Sequence, residues 1–206
     1  MTKISKQTIA QTFKFNCDRY LRFELSNKKE KKDIGIDGIE LGARPAVELM
    51  VEAGKKWEAD KYQDLIDCIG KQGKILYQLE DEINERMGIK PFKQINNLFE
   101  VLKSPKPPYA ILEASFAVPQ SLSHSFKIAY EKHKLELSMA RPDIIWIRPY
   151  PSGSPLINTS GRTPRYELHI IDVKLASEAS LKHFTEVTYY ALALAQAIKE
   201  QGLDSL

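Results

Sequence analysis

The proline-rich segment 104–108, Ser-Pro-Lys-Pro-Pro, divides the chain into two stretches of different periodicity. Proline lacks the amide hydrogen that a helix interior needs, and its ring obstructs the preceding turn, so these prolines end any helix that reaches them. Apolar residues recur mainly at helical spacing before this segment and form short runs rich in β-branched and aromatic residues after it. The sequence therefore predicts a mainly helical part over 1–105 and a sheet core with a closing helix over 106–206.

The first part contains the longest predicted helix, 44–70, which starts near Pro45 because proline suits a first helical turn. Its Gly54 costs roughly 1 kcal/mol relative to alanine, so we expect a packing or functional reason for this glycine. Further helices are predicted over 5–25, 72–86 and 92–104, and the lysine- and glycine-rich stretch 27–40 is predicted to be a surface loop.

Strands dominate the second part. They are predicted over 109–118, 125–133, 135–150 and 165–176, with a Pro/Ser/Gly-rich loop over 151–164. Ser177 or Ser180 can cap the final helix, 177–202, and Gly202 can end it. The prediction is a mixed α/β (α+β) fold with a mainly antiparallel sheet flanked by helices. A length of 206 residues favours a single domain, 1–206, with two domains as the alternative.

Composition excludes several protein classes. The chain has no apolar run that could serve as a secretory signal or a membrane span, and its two cysteines have no metal-binding spacing, so we expect a reduced, cytoplasmic protein. Phosphate-binding glycine loops and a nucleophile elbow are also missing from the sequence. The formal net charge of +3 permits a nucleic-acid partner without requiring one.

Two apolar runs carry an acidic residue at one end. Asp143 precedes Ile-Ile-Trp-Ile, and Asp172 follows another apolar run, with Lys174 two positions later. Side chains two residues apart in a strand share a face, so an ordinary ion pair between Asp172 and Lys174 is one interpretation. If the two runs pair, their carboxylates could instead share Mg²⁺ or Mn²⁺, with Lys174 holding a water or stabilising transition-state charge. That set suits phosphodiester cleavage.

These residues resemble the signature of the PD-(D/E)xK nucleases. Pro142-Asp143 and Asp172-Val173-Lys174 stand in the motif positions, with 28 residues between the two aspartates. The resemblance implies a restriction-endonuclease-like core and a metal site formed by Glu58, Asp143, Asp172 and the Val173 carbonyl. It also implies that Lys174 positions or activates the attacking water.

Three further segments are similar to the RecB-like and CRISPR-associated exonuclease branch of this family. Gly54 and Glu58 match its Gly-x-x-x-Glu helix motif, and Tyr190 matches its Gln-x-x-x-Tyr motif, in which Glu186 here replaces glutamine. A carboxylate cannot donate a hydrogen bond as an amide does, so the role of Glu186 differs. The third segment contains Cys17, but no cysteines follow the final helix, so we expect no iron–sulfur cluster.

The resemblance implies an exonuclease or end-processing deoxyribonuclease, with a helicase or another protein as a candidate partner. Tyr190 would brace the site or contact substrate, and the remaining candidate contacts to DNA are Lys182, His183, Glu186, Arg162 and Arg165. Two alternatives stay open at this point. The chain could be a nuclease-fold module that binds nucleic acid or a partner without cutting, or its acidic residues could form only structural ion pairs.

Overall fold

The computed structural model describes residues 2–16, 18–35, 45–69, 75–77, 97–124, 135–149, 166–176 and 178–203. The helices are α1 (Lys6–Phe15), α2 (Asp18–Leu25), α3 (Lys28–Asp33), α4 (Pro45–Ile69), α5 (Leu98–Leu102), α6 (Gln120–His124) and α7 (Leu181–Glu200). The strands are β1 (Thr2–Ile4), β2 (Ile75–Tyr77), β3 (Ala110–Leu112), β4 (Leu135–Leu137), β5 (Ile144–Pro149) and β6 (Tyr166–Ile171). Within these ranges, no helix has the length and apolar character needed to cross a membrane.

A four-stranded sheet with the order β2-β3-β5-β6 forms the centre of the described structure. Strand β5 is antiparallel to both β3 and β6, whereas β2 runs parallel to β3. A separate parallel pair joins β1 to β4. The mixed α/β class predicted from the sequence is confirmed, and the central sheet is mainly antiparallel with one parallel pair.

The two faces of the sheet bury different helices. Ile145 and Ile147 of β5 point to one face and pack with Tyr190 and Leu194 of α7. Ile144 points to the opposite face, where Tyr62 of α4 joins the core. This alternation follows from the two-residue period of a strand, and it places α4 and α7 on opposite sides of the sheet.

One predicted helix was wrong. The stretch 72–86 contains strand β2, whose Ile75 is buried and pairs with Ala110; the rest of that stretch lies outside the described residues. Ile75 and Tyr77 are residues that favour a pleated surface, and pairing with a buried neighbour outweighs the helical tendency of the flanking sequence.

The N-terminal predictions need smaller corrections. The stretch 5–25 forms two helices because α1 ends at Asn16, whose φ of 46° is left-handed. The predicted loop 27–40 contains helix α3, which starts with a capping box between Asn27 and Glu30. No described atom lies within 4 Å of a Cβ built on Gly54, so the structure shows no packing reason for that glycine.

The remaining predicted elements are either shorter in the structure than expected or fall outside the described residues. Within 109–118 only β3 is a regular strand, and the stretch 125–133 lies outside the described residues. The closing helix begins after Ser180 and ends as predicted at Gly202, which has a φ of 65°. The Gly202 and Leu203 amides donate to the Lys199 and Ile198 carbonyls, which satisfies the last turn of α7.

We expect Ile145→Ala to lower the free energy of unfolding by about 2–4 kcal/mol, because it opens a cavity in the core between the sheet and α7. The matched control is Ile34→Ala, since the Ile34 side chain is 63% exposed and Ile145 is fully buried. The control should change stability by less than about 0.5 kcal/mol. Urea denaturation followed by circular dichroism measures both, and equal losses would contradict this description of the core.

Candidate metal centre

Three acidic residues lie where strands of the central sheet begin or end, along one side of the sheet that we call the sheet edge. Glu113 directly follows β3, Asp143 directly precedes β5, and Asp172 directly follows β6. Because β5 is antiparallel to both neighbours, its beginning lies beside the ends of β3 and β6. The sequence places each carboxylate one residue outside a buried strand, and the strand pairing brings the three to the same place.

Helix α4 adds Glu58 and Tyr62 to this edge. The two residues are four positions apart and so share one face of the helix. The Tyr62 hydroxyl oxygen is 2.6 Å from Oε1 of Glu113 and 3.1 Å from Oε1 of Glu58. Burial, followed by the charge of Glu113, raises the pKa of Tyr62, so its hydroxyl remains a hydrogen-bond donor. Its single proton serves the shorter contact, to Glu113.

Glu58, Glu113 and Asp143, here called the acidic trio, form the best candidate for a cation site among the described residues. One carboxylate oxygen from each lies within 4.8 Å of those of the other two. Hard oxygen ligands of this kind suit Mg²⁺, Mn²⁺ or Ca²⁺. The trio therefore fits a bound divalent cation.

Glu113 was missed in the sequence analysis, although it shares the signal that identified Asp143 and Asp172. It adjoins a buried apolar run, Ala-Ile-Leu, but it lies inside the strand predicted over 109–118, whereas the observed strand β3 ends just before it. Its backbone has a φ of 50°, and its amide donates to the Asp143 carbonyl over 2.7 Å. A left-handed conformation costs a non-glycine residue of order 1–3 kcal/mol, and such costs persist where the surrounding structure enforces them.

The carboxylates of this edge repel one another when no cation is present. Burial first, and then the charge of Asp172, raises the pKa of Asp143 to about 8, although Lys174 opposes this rise. Burial, and then the charge of Glu113, also raises the pKa of Glu58. A cation bound between these groups would favour their ionised forms, so protons and metal ions compete for the same site.

Two further carboxylates, Asp172 and Glu186, are surrounded by three lysines. These lysines, here called the lysine cluster, are Lys6, Lys174 and Lys182. Lys174 Nζ is 3.0 Å from Oδ1 of Asp172, 3.8 Å from Oδ2 of Asp143 and 4.0 Å from Oε2 of Glu186. Burial lowers the pKa of Lys174, but these carboxylates outweigh that effect and raise it, so the ammonium stays charged.

The other two lysines approach from different helices. Lys6 of α1 lies 3.9 Å from oxygens of both Asp172 and Glu186, and Lys182 of α7 lies 3.7 Å from Oε1 of Glu186. The carboxyl groups they surround are almost fully buried, with side-chain exposures of 1% for Asp172 and 4% for Glu186. The three lysines therefore concentrate at Asp172 and Glu186, whereas the acidic trio has fewer basic partners, Arg141 at Glu113 and Lys174 at Asp143.

Two buried groups at the centre of the site keep unused hydrogen-bonding capacity. Oδ1 of Asp172 is paired with the Lys174 and Lys6 ammonium groups, whereas Oδ2 of Asp172 and the Tyr190 hydroxyl have no described partner. Burial, and then the charge of Asp172, raises the pKa of Tyr190, so it stays a neutral phenol. Buried polar groups of this kind usually have a partner, which indicates that this space receives a ligand.

The structure brings together most of the site residues expected from the sequence. Asp172 lies beside Lys174 rather than within the acidic trio, and Val173 contributes its amide, which donates to Oδ2 of Asp143 over 2.5 Å. His183 has a local role, because its Nδ1 accepts from the Ser180 amide over 3.2 Å at the start of α7. The expected residues Cys17, Arg162 and Arg165 lie outside the described residues.

Comparison of the chain with protein-family models, curated proteins and solved structures finds no match.

We expect Asp143→Asn to change how the stability of the metal-free protein depends on pH. The pKa of Asp143 is about 8 in the folded state, against 3.8 as its ordinary value, so the folded state holds this proton more tightly. The contribution of the Asp143 carboxyl to the free energy of unfolding is therefore greatest below pH 3.8 and is lost as the pH rises to about 8. The asparagine variant lacks this loss, so its stability relative to wild type should rise over that range and level off above it.

Urea denaturation with EDTA at a series of pH values measures this difference, which should change by a few kcal/mol between the two ends of the range. Asp60→Asn provides the control, because Asp60 is an exposed carboxylate on α4. Its difference from wild type should stay nearly constant with pH. A constant difference for Asp143→Asn as well would contradict the buried, repelled carboxylate described above.

Proposed function

We propose that this protein is a metal-dependent deoxyribonuclease with a restriction-endonuclease-like core. The observation that carries the proposal is the separation of charge within one site, where the acidic trio lies next to the lysine cluster. The two groups meet at Lys174, whose ammonium is 3.0 Å from Asp172 and 3.8 Å from Asp143. A phosphodiester with its divalent cation has the same two charges, a cation and an anion side by side. Pro142-Asp143 and Asp172-Val173-Lys174, which resemble the PD-(D/E)xK signature, lie at the centre of that separation.

In the proposed reaction, the acidic trio binds Mg²⁺ or Mn²⁺. The ion, when bound, would polarise a phosphoryl oxygen and lower the pKa of a water molecule. Tyr62 holds Glu113 in place through its hydroxyl, and the Val173 amide fixes the orientation of Asp143. These contacts orient two of the ligands before an ion arrives, which reduces the cost of assembling the site.

Lys174 is the residue best placed to act on the reacting groups. Its ammonium is 3.8 Å from Asp143 and stays charged at neutral pH. From there it can hold the attacking water or stabilise negative charge as it develops on the phosphoryl oxygens. Asp172 anchors this ammonium over 3.0 Å, so in this proposal Asp172 acts mainly by positioning Lys174.

DNA is the proposed substrate because of the resemblance to nucleases of the exonuclease branch, and an exonuclease or end-processing mode is proposed on the same ground. Lys182 would contact the phosphate backbone, because its side chain is partly exposed near the start of α7. Tyr190 would brace the site from beneath, since it is fully buried. A helicase or another protein partner remains part of the proposal.

A binding module without cleavage is the second candidate. The observation that favours it is the compensation already present in the site, where lysines lie within 4.0 Å of both Asp172 and Glu186. Such a module would still bind DNA in a salt-sensitive manner, but it would not cut DNA when Mg²⁺ or Mn²⁺ is added.

The two candidates make opposite predictions for cleavage of single- and double-stranded DNA with Mg²⁺ or Mn²⁺. We expect wild type to cleave at least one of these substrates. Asp143→Asn, Glu113→Gln and Lys174→Ala should each reduce the rate constant by at least about 100-fold, because each removes a ligand or the charge that acts on the phosphate. Cleavage of 5′-labelled oligonucleotides on denaturing gels measures the rates and shows whether products come from the ends.

The control for the carboxylates is Glu52→Gln, since Glu52 is exposed on α4, the helix that carries Glu58. It should cleave at the wild-type rate. Equal cleavage by Glu113→Gln, Lys174→Ala and wild type would refute the proposed site. DNA binding without cleavage by wild-type protein would favour the binding module instead.

A further inference from the structure

Lys6 is a third basic side chain inside the site. It lies on α1, far in the sequence from Lys174 and Lys182. Its Nζ lies 3.9 Å from Oδ1 of Asp172, 3.9 Å from Oε2 of Glu186 and 4.6 Å from the centre of the Tyr190 ring. The ammonium is thus held between two buried carboxylates and the face of an aromatic ring. Both kinds of contact stabilise a cation, and more so where water is scarce.

The backbone around Lys6 is fixed, so its position is not a chance extension of a mobile side chain. Ser5 caps α1 by accepting from the Thr8 amide, and the preceding Ile4 carbonyl accepts from the Ser138 amide over 2.9 Å. The Ser138 carbonyl in turn accepts from the Tyr189 hydroxyl over 2.9 Å. Lys6 is the first residue of α1, where the helix dipole disfavours a positive charge. The nearby carboxylates compensate for that placement.

The carboxylates of the site divide into two groups. No ion pair with Lys6 or Lys182 is formed by the acidic trio, whereas Asp172 and Glu186 each lie within 4.0 Å of at least two lysines. Sites that use two divalent ions place them about 3.5–4 Å apart, and both ions need carboxylate ligands. An ammonium already occupies the space beside the second group, and it repels a divalent ion there.

The total charge of the site points the same way. Five carboxylates face four basic side chains, the lysine cluster and Arg141, whose Nε donates to Glu113 over 3.0 Å. With all five carboxylates ionised, as a bound cation favours, one divalent ion changes a single excess negative charge into a single excess positive charge. A second ion would leave three uncompensated positive charges beside carboxylates that are almost fully buried, which is unfavourable.

We propose that Lys6 takes the place of a second divalent cation, so that the site binds one ion, at the acidic trio. The inference rests on the proposed function and goes further, because that function is compatible with one ion or two. Lys6 is a positioning residue in this arrangement: it shares the compensation of Asp172 and Glu186 with Lys174, which also lies beside Asp143. Removal of its charge would leave two lysines, Lys174 and Lys182, beside these carboxylates and would lower the repulsion that keeps a second metal ion from binding between them.

The test is the number of Mn²⁺ ions bound per chain, measured by isothermal titration calorimetry and by electron paramagnetic resonance of bound Mn²⁺. Wild type should bind one ion and show no spin coupling. Lys6→Met should bind two ions with a spin-coupled signal, whereas Lys6→Arg, which keeps the charge, should bind one. Lys14→Met is the matched control on the same helix, since the Lys14 ammonium lies over the Phe15 ring, 5.5 Å from its centre. It should also bind one ion.

Binding of two ions by wild type, or of one ion by both wild type and Lys6→Met, would overturn the inference and leave the proposed function standing. Failure of wild type to bind any Mn²⁺ would refute the proposed function together with it. The melting temperature of each variant in EDTA shows whether it folds. If Lys6→Met does not fold, Lys6→Gln replaces it with the same expected stoichiometry of two.

Discussion

The structure depends on how it compensates for carboxylates buried at the edge of its central sheet. Asp143, Asp172 and Glu186 are each almost fully removed from water, and an isolated buried charge would cost far more than the stability of an ordinary domain. The protein meets this cost in two ways. Around Asp172 and Glu186 it supplies lysines from three separate segments. At the acidic trio it supplies the Tyr62 hydroxyl, Arg141, the Val173 amide and the more distant Lys174 ammonium, and it leaves the carboxylates partly in conflict.

That conflict explains features that would otherwise be unfavourable. Glu113 keeps a left-handed backbone because its amide is bonded to the Asp143 carbonyl, which turns its side chain towards Tyr62. Tyr62 is fully buried, and its pKa is raised by the same carboxylates that accept its hydrogen bond. Strain, burial and repulsion at one place are characteristic of a site arranged for a ligand rather than for stability alone. A divalent cation is the ligand that would relieve all three carboxylates together.

The sequence predicted members of this candidate site better than their arrangement. An acidic residue beside an apolar run identified Asp143 and Asp172, and the resemblance to the Gly-x-x-x-Glu motif identified Glu58 on the predicted helix 44–70, because these signals are local. Glu113 carries the same local signal, but only the antiparallel pairing of β3 with β5 reveals that it meets Asp143. The position of Lys6 was beyond prediction, since it depends on packing between α1 and α7, which are separated by most of the chain. Strand β2 was predicted as helix because its three residues form a strand through pairing with β3, which local propensity does not reveal.

The contribution of α1 also bears on how the site is assembled. Without α1, Asp172 and Glu186 would keep only Lys174 and Lys182 as ion-pair partners. With Lys6 present, two ammonium groups share the Asp172 carboxylate. In the proposed function, Lys174 acts on a phosphate, and it then needs a neighbour that orients it without neutralising it entirely. Helix α1 supplies the extra charge for this balance, so the proposed site is complete only when α1 and α7 have packed together.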